Sequence, residues 1–248
     1  MKAMVLAAGV GRRLRPLTDK IPKALLDVGG VPMIERVIRR LTLAGVTELV
    51  VNLFHLGDRI VEFLESKGDF GLRIAFTRET ELLDTGGGLK NAAWFFDDGQ
   101  PFFIHNVDVL SDIDLEGLLR LHRQVGALAT LAVQSRPGSR QLLFDRDGRL
   151  CGRESSEGVE WALGPVPDVE RLAFTGIHVI DPAIFPKMTE TGAFPITRTY
   201  LRLAGEGERI LAYRADGSYW QDIGSPEKLE AARKRAAGGT DVNAIRDS

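Results

Sequence analysis

The sequence predicts an α/β fold built on a mainly parallel sheet, with hairpins added in its second half. Three observations carry this expectation. Apolar runs of strand length alternate with amphipathic stretches of helical period as far as residue 133. The order strand, helix, strand favours right-handed crossovers and parallel pairing. From residue 136 to about 172 the alternation gives way to Gly, Pro and charge, and Asp147-Gly148 sits between the apolar flanks of Leu142 to Leu150, a hairpin signal.

The elements follow in order. Residues 2–7 read as the first strand. Pro32 is expected to open a helix in which Ile34, Val37, Ile38 and Leu41 recur on one face, with Gly45 at its end. Glu48 to Leu53 has the apolar density of a strand covered on both faces. Ile60, Phe63 and Leu64 mark a helix that stops near Gly68. Leu72 to Phe76 predicts a third strand, Leu89 to Phe96 a short helix, and Pro101 to Asn106 a fourth strand entering Asn106-Val107-Asp108. A helix over 115–124 and a strand over 127–133 continue the scheme. Ser225-Pro226-Glu227 has the form of an N-cap followed by proline at the first helical position, starting a helix that runs to about Ala237. Residues 1–237 are expected to form one domain and 238–248 a loose polar tail; no internal repeat is visible.

Composition narrows the function. The chain has 248 residues, 44% of them hydrophobic, enough for a substantial core. A net charge of −2 argues against a nucleic-acid partner. No run approaches the roughly 18 apolar residues of a membrane span, and no signal-peptide pattern opens the chain, so a cytoplasmic protein without a membrane partner is expected. The single cysteine, Cys151, excludes an internal disulfide and reads as an incidental thiol. His55, His105, His122 and His178 show no metal spacing.

The informative stretch is the opening, Leu6-Ala7-Ala8-Gly9-Val10-Gly11-Arg12-Arg13-Leu14-Arg15-Pro16-Leu17-Thr18, with Pro22-Lys23 close behind. A buried strand runs into glycines that let the backbone approach a ligand, and a cluster of cations follows. Either an anion sits among them or they form a solvated basic loop. The Gly-Lys-Ser/Thr phosphate loop is absent, and Leu14 occupies the third glycine position of the dinucleotide fingerprint. Pro16 forbids a regular helix directly through the segment, which suggests an extended loop wrapped over a polyphosphate.

Leu-Ala-Ala-Gly-x-Gly-x-Arg-x-x-Pro-Leu-Thr followed by Pro-Lys resembles the signature of the sugar-1-phosphate nucleotidyltransferases, and later segments extend the resemblance to about residue 235. It implies the Rossmann-like three-layer sandwich of the nucleotide-diphospho-sugar transferase fold. It also implies a nucleoside triphosphate held by Leu6, Ala7, Ala8, Gly9, Gly11, Arg13 and Lys23, with Arg13 and Lys23 as the catalytic cations. Asp108, taken alone, is either a metal ligand held at a strand tip or an ordinary cap or loop acid. The resemblance makes it a Mg²⁺ ligand, paired with Asp222 of Trp220-Gln221-Asp222-Ile223-Gly224-Ser225-Pro226. Val107 stands where relatives commonly have glycine.

The segment Glu79-Thr80-Glu81-Leu82-Leu83-Asp84-Thr85-Gly86-Gly87-Gly88 is either a flexible loop or a surface for a flat ring. The resemblance places Glu79, Gly86 and Gly87 at a nucleobase, and the form Leu-x-Thr-Gly-Gly-Gly is similar to uridylyltransferases acting on N-acetylmuramate 1-phosphate in cell-wall sugar recycling. For the sugar it implies Asn106, Thr175 and Gly176. The Glu-Lys-Pro segment that grips sugar and phosphate in many relatives is absent, and Glu154 lies in its region. The expected partners are therefore a nucleoside triphosphate and a sugar 1-phosphate, with UTP and N-acetylmuramate 1-phosphate first. GTP with mannose 1-phosphate, TTP with glucose 1-phosphate and CTP with a choline phosphate are the alternatives, beside a regulatory subunit that binds nucleotide sugars without chemistry. Oligomeric state is not legible.

Overall fold

The computed structural model describes residues 1–238; residues 239–248, most of the expected tail, lie outside the described residues. In chain order the strands are β1 (Lys2–Leu6), β2 (Asp27–Val28), β3 (Val31–Pro32), β4 (Glu48–Leu53), β5 (Arg73–Arg78), β6 (Phe102–Asn106), β7 (Val109–Ser111), β8 (Ala129–Gln134), β9 (Gln141–Phe144), β10 (Leu150–Ser155), β11 (Gly158–Trp161), β12 (Glu170–Ile180), β13 (Ile210–Arg214) and β14 (Trp220–Asp222). The helices are α1 (Met33–Leu43), α2 (Gly57–Ser66), α3 (Asp84–Asn91), α4 (Leu115–Val125), α5 (Ile196–Gly205) and α6 (Pro226–Ala237). They divide into two compact units, the first made of residues 1–82, 105–113 and 218 onward, the second of 83–104 and 114–217.

The first unit is parallel at its centre. β1 pairs with β4 and β4 with β5, in register from Lys2↔Glu48 and Glu48↔Arg73. α1 buries Ile34, Val37, Ile38 and Leu41, the face its period predicts. Arg36 is buried too, because its guanidinium caps the carbonyls of Val28 and Val31 around the β2–β3 turn. That turn contains Gly29 at φ 62°, where a Cβ would lie 2.7 Å from Ala236 on α6. Leu14, Leu26, Val28 and Met33 close an apolar cluster with Leu110, Ile223, Leu229 and Ala232. This cluster fastens the basic loop, the end of β14 and α6 to one another.

The second unit is mixed. β8 pairs with β12 antiparallel and with β13 parallel, while β9, β10 and β11 form an antiparallel meander joined to β12 through β9. The hairpin at Asp147-Gly148 is present as expected. The segment after it is more regular than its composition suggests, since β10 and β11 make a second tight hairpin.

Three local expectations change. The loop after β1 is not extended; it forms three one-turn 3₁₀ helices at Arg12–Leu14, Leu17–Asp19 and Lys23–Leu25. Single turns of this type need few internal hydrogen bonds and tolerate Pro16 at a cap. The helix expected from Leu89 begins at Asp84 and contains Gly86, Gly87 and Gly88. Helix-disfavouring glycines are kept there by packing, because a Cβ on Gly86 would lie 2.3 Å from the Phe194 ring and one on Gly87 2.5 Å from Gly192 O. Finally, α5 received no sequence assignment, although Ile196, Tyr200, Leu201 and Leu203 are buried on it.

Candidate active site

In the first unit, β1 ends at Leu6, and Val107 N donates to Leu6 O at 3.1 Å, holding the tip of the Asn106-Val107-Asp108 segment against the loop. The next amide, Ala7 N, donates to Asn52 Oδ1 at 2.7 Å, and Asn52 Nδ2 donates to Glu79 Oε1 at 2.6 Å. Asn52 is 3% exposed, Ala7 5% and Glu79 8%. One buried amide thus fixes both the start of the glycine loop and a carboxylate at the end of β5. Sequence reading missed Asn52. The available signal was a lone polar side chain inside Leu49-Val50-Val51-Asn52-Leu53, which must find partners when buried.

Ala8 is buried, whereas a Cβ on Gly9 would meet nothing within 4 Å. Gly11 is left-handed at φ 66°, and Thr18 Oγ1 donates to its carbonyl at 2.9 Å. The arginines then sort themselves. Arg15 pairs with Asp19 at 3.0 Å on the surface. Arg13 is exposed, and its guanidinium covers Gly224, where a Cβ would lie 2.7 Å from Nη2.

The two acids meet through backbone pairing. β14 runs antiparallel to β7 with Asp222 opposite Val109, and Ile223 N donates to Asp108 O at 3.0 Å. Lys23, 13% exposed in its side chain, forms an ion pair with Asp108 Oδ2. Asp222 Oδ1 accepts from Gly224 N at 2.9 Å, and its Oδ2 pairs with Lys228, a residue not singled out in the sequence. Burial works to raise the pKa of Asp222, but Lys228, the Gly224 amide and nearby Lys23 together hold it below the ordinary carboxylate value. Asp222 is therefore anionic near neutrality, and Asp108 is held by the ammonium of Lys23. Neighbouring His105 is the reverse case: burial, aided by the charge of Arg40, lowers it to about 3, so it stays neutral.

The donor set fits Mg²⁺. That ion is content with one or two carboxylates plus phosphate oxygens and water, and Asp108 with Asp222 is such a pair. Among the described residues no group of three or more His, Cys, Asp or Glu side chains is placed to form a cage, so a tighter all-protein site is not built here.

In the second unit the sequence-predicted residues are largely engaged with their own backbone. Gly86 N and Gly87 N both donate to Phe194 O, at 2.9 and 3.3 Å. Thr175 is 1% exposed, and its hydroxyl donates to Ala132 O at 2.8 Å. Here β12 advances four residues while β8 advances two, and Gly176 takes φ 79° in the resulting bulge. Glu154 Oε2 pairs with Arg171 at 2.8 Å. A cleft of ≈ 560 Å³ in this unit, lined by Trp161, Thr189, Arg198 and the Glu190–Arg202 ion pair among others, contains none of the sequence-predicted residues.

The first unit thus brings an open glycine loop, flanking cations and paired carboxylates together on a parallel α/β sheet. A family model described as nucleotidyl transferase matches residues 2–141, and the chain belongs to that family. It is 34% identical to the N-acetylmuramate alpha-1-phosphate uridylyltransferase of Neisseria meningitidis serogroup B, over 95% of this chain and 98% of that one. It is 30% identical to the mannose-1-phosphate guanyltransferase of Yarrowia lipolytica, over 92% of this chain and only 61% of that one; the chain thus spans about three fifths of the guanyltransferase's length. A UDP-glucose pyrophosphorylase solved with UDP-glucose superimposes at TM-score 0.77 and 20% identity, over 96% of this chain and 98% of that one. The fold is therefore the nucleotide-diphospho-sugar transferase fold. No helix of the described residues is long and apolar enough to cross a membrane.

Proposed function

We propose that the chain transfers a nucleotidyl group from a nucleoside triphosphate to a sugar 1-phosphate. The observation that carries the proposal is the pairing of Lys23 with Asp108 beside Asp222, next to a loop whose Gly9 faces open space. A phosphate oxygen of the sugar attacks the α-phosphorus, the bond to the β-phosphate bridging oxygen breaks, and pyrophosphate leaves with the bonding electrons. No covalent enzyme intermediate is needed; positioning and charge neutralisation suffice.

Arg13, free to leave the surface of Gly224, grips the triphosphate and the departing pyrophosphate. Lys23 neutralises the α-phosphate as charge shifts onto it. Leu6, Ala7, Ala8, Gly9 and Gly11 lay backbone along the phosphates, and Asn52 keeps that backbone and Glu79 in fixed register. Asp108 and Asp222 hold Mg²⁺, which when bound polarises the phosphate oxygens and fixes their orientation. In the first unit Glu79 is proposed for the nucleotide and Asn106 for the sugar; in the second, Gly86 and Gly87 are proposed for the nucleotide and Glu154, Thr175 and Gly176 for the sugar.

UTP with N-acetylmuramate 1-phosphate is the pairing we favour, because the chain is 34% identical to the uridylyltransferase relative and 30% to the guanyltransferase over comparable shares of its own length. The retained Arg13, Lys23, Asp108 and Asp222 argue against a non-catalytic regulatory role. A matrix of nucleoside triphosphates against sugar 1-phosphates, scored by pyrophosphate release, tests both levels. Preference for GTP with mannose 1-phosphate would replace the substrate assignment, and nucleotide binding without turnover in every pairing would refute the enzymatic one. Asp108→Asn, Asp222→Asn and Lys23→Ala should each lower turnover by about a hundredfold or more while leaving the fold intact.

A further inference from the structure

We propose that Lys228 is a displaceable counter-ion that masks Asp222, so that the site refuses a bare divalent cation and admits it together with nucleotide phosphates. The proposal rests on the reading of Asp108 and Asp222 as the metal-holding pair. Each of these acids has an ammonium partner within the chain, Lys23 on Asp108 and Lys228 on Asp222. The two negative charges are balanced by two positive ones, and a dication approaching alone meets no net attraction. A metal–triphosphate complex arrives with surplus negative charge, which the displaced ammonium groups and Arg13 then meet.

The two lysines are not equivalent. The Lys23 side chain is 13% exposed and Lys228 48%. Lys23 belongs to the basic loop and stays with the phosphates. Lys228 stands in the first turn of α6, three residues after the N-cap Ser225, where the helix dipole disfavours a cation. Nothing in the helix itself calls for a positive charge at that position; the ammonium donates to Asp222 Oδ2. A half-exposed pair of this kind is weak enough to open and strong enough to compete.

Mn²⁺ is the probe, titrated into the full-length chain at low ionic strength and followed by the EPR signal of the free ion. Lys228→Met should bind Mn²⁺ roughly three- to tenfold more tightly than the wild type, the effect expected on removing one competing ion pair and one nearby positive charge. Lys228→Arg should behave as the wild type. A gain of affinity cannot arise from misfolding, and Lys228→Gln repeats the measurement with a polar side chain if the methionine variant melts early. Unchanged or weaker Mn²⁺ binding in both neutral variants would overturn the proposal, as would equal tightening in Lys228→Arg. Asp222→Asn separates the underlying reading: with a non-hydrolysable nucleoside triphosphate present, unaltered Mn²⁺ affinity in that variant would remove the metal assignment and the mask with it.

Discussion

Gly86→Ala tests why three glycines lie inside a helix. The added methyl would sit 2.3 Å from Phe194 Cε2, 2.4 Å from Cδ2 and 2.9 Å from Phe194 O. Carbon atoms in contact prefer about 3.5–4.0 Å, so both the ring and the backbone must shift by more than 0.5 Å or so. Phe194 is 1% exposed, so its ring cannot simply swing into solvent without losing its burial. Overpacking at the upper end of the usual range costs about 3 kcal/mol, and alanine returns about 1 kcal/mol of helix preference, leaving a net loss of about 2 kcal/mol. For a chain of this size that lowers Tm by about 4–8 °C, read by circular dichroism or differential scanning fluorimetry. The double variant Gly86→Ala/Phe194→Leu should lose less than the two single losses added together, since the smaller side chain vacates the collision. An unchanged or raised Tm in Gly86→Ala, the result expected of an open helix, would refute the packing account.

Gly9→Ala should behave in the opposite way. Its Cβ meets nothing within 4 Å, so Tm should stay within about 1 °C of the wild type. Calorimetric nucleotide affinity should nevertheless fall by about tenfold or more if phosphates lie on that backbone, because a ~1 Å displacement of a bound group is enough for such a loss. Acid stability follows from His105, held at about 3 chiefly by burial, and His122, held at about 4 chiefly by burial. Both remain neutral in the fold while the unfolded chain protonates them near 6.5, so their contribution is complete above that pH and declines as pH falls toward 4 and then 3. At pH 5 the linkage amounts to about 2 kcal/mol apiece, an upper bound visible as a lower urea midpoint than at pH 7.5. An equal midpoint at the two pH values would show that both histidines take a proton in the folded state, and half the expected drop that one of them does.

Much of this protein is legible without coordinates because its signals are local. The alternation of strand and helix, the glycine turn after β1, the Asp147-Gly148 hairpin and the Ser225-Pro226 start of α6 each depend on neighbours a few residues away. The loop signature likewise carries its own cations, and its resemblance to the family motif marks Arg13 and Lys23 as the pair to watch. Other features depend on partners far along the chain. Gly86 to Gly88 read as a flexible loop or a surface for a flat ring because glycine disfavours helix locally, and only Phe194 and Gly192, more than a hundred residues later, make glycine the residue that fits inside a helix. Asn52 looks like a polar accident in an apolar strand until Ala7 and Glu79 are placed on either side of it.

The opening sequence by itself determined where a glycine turn and a cluster of cations lie together, since a backbone turn and clustered charge are properties of consecutive residues. Tertiary structure decided how that charge is disposed. β7 and β14 pair so that Asp222 comes beside Asp108, Lys23 and Lys228 take up the two carboxylates, and Arg13 lies over Gly224. None of these contacts has a local signature, because an ion pair is specified by distance in space and not by distance along the chain.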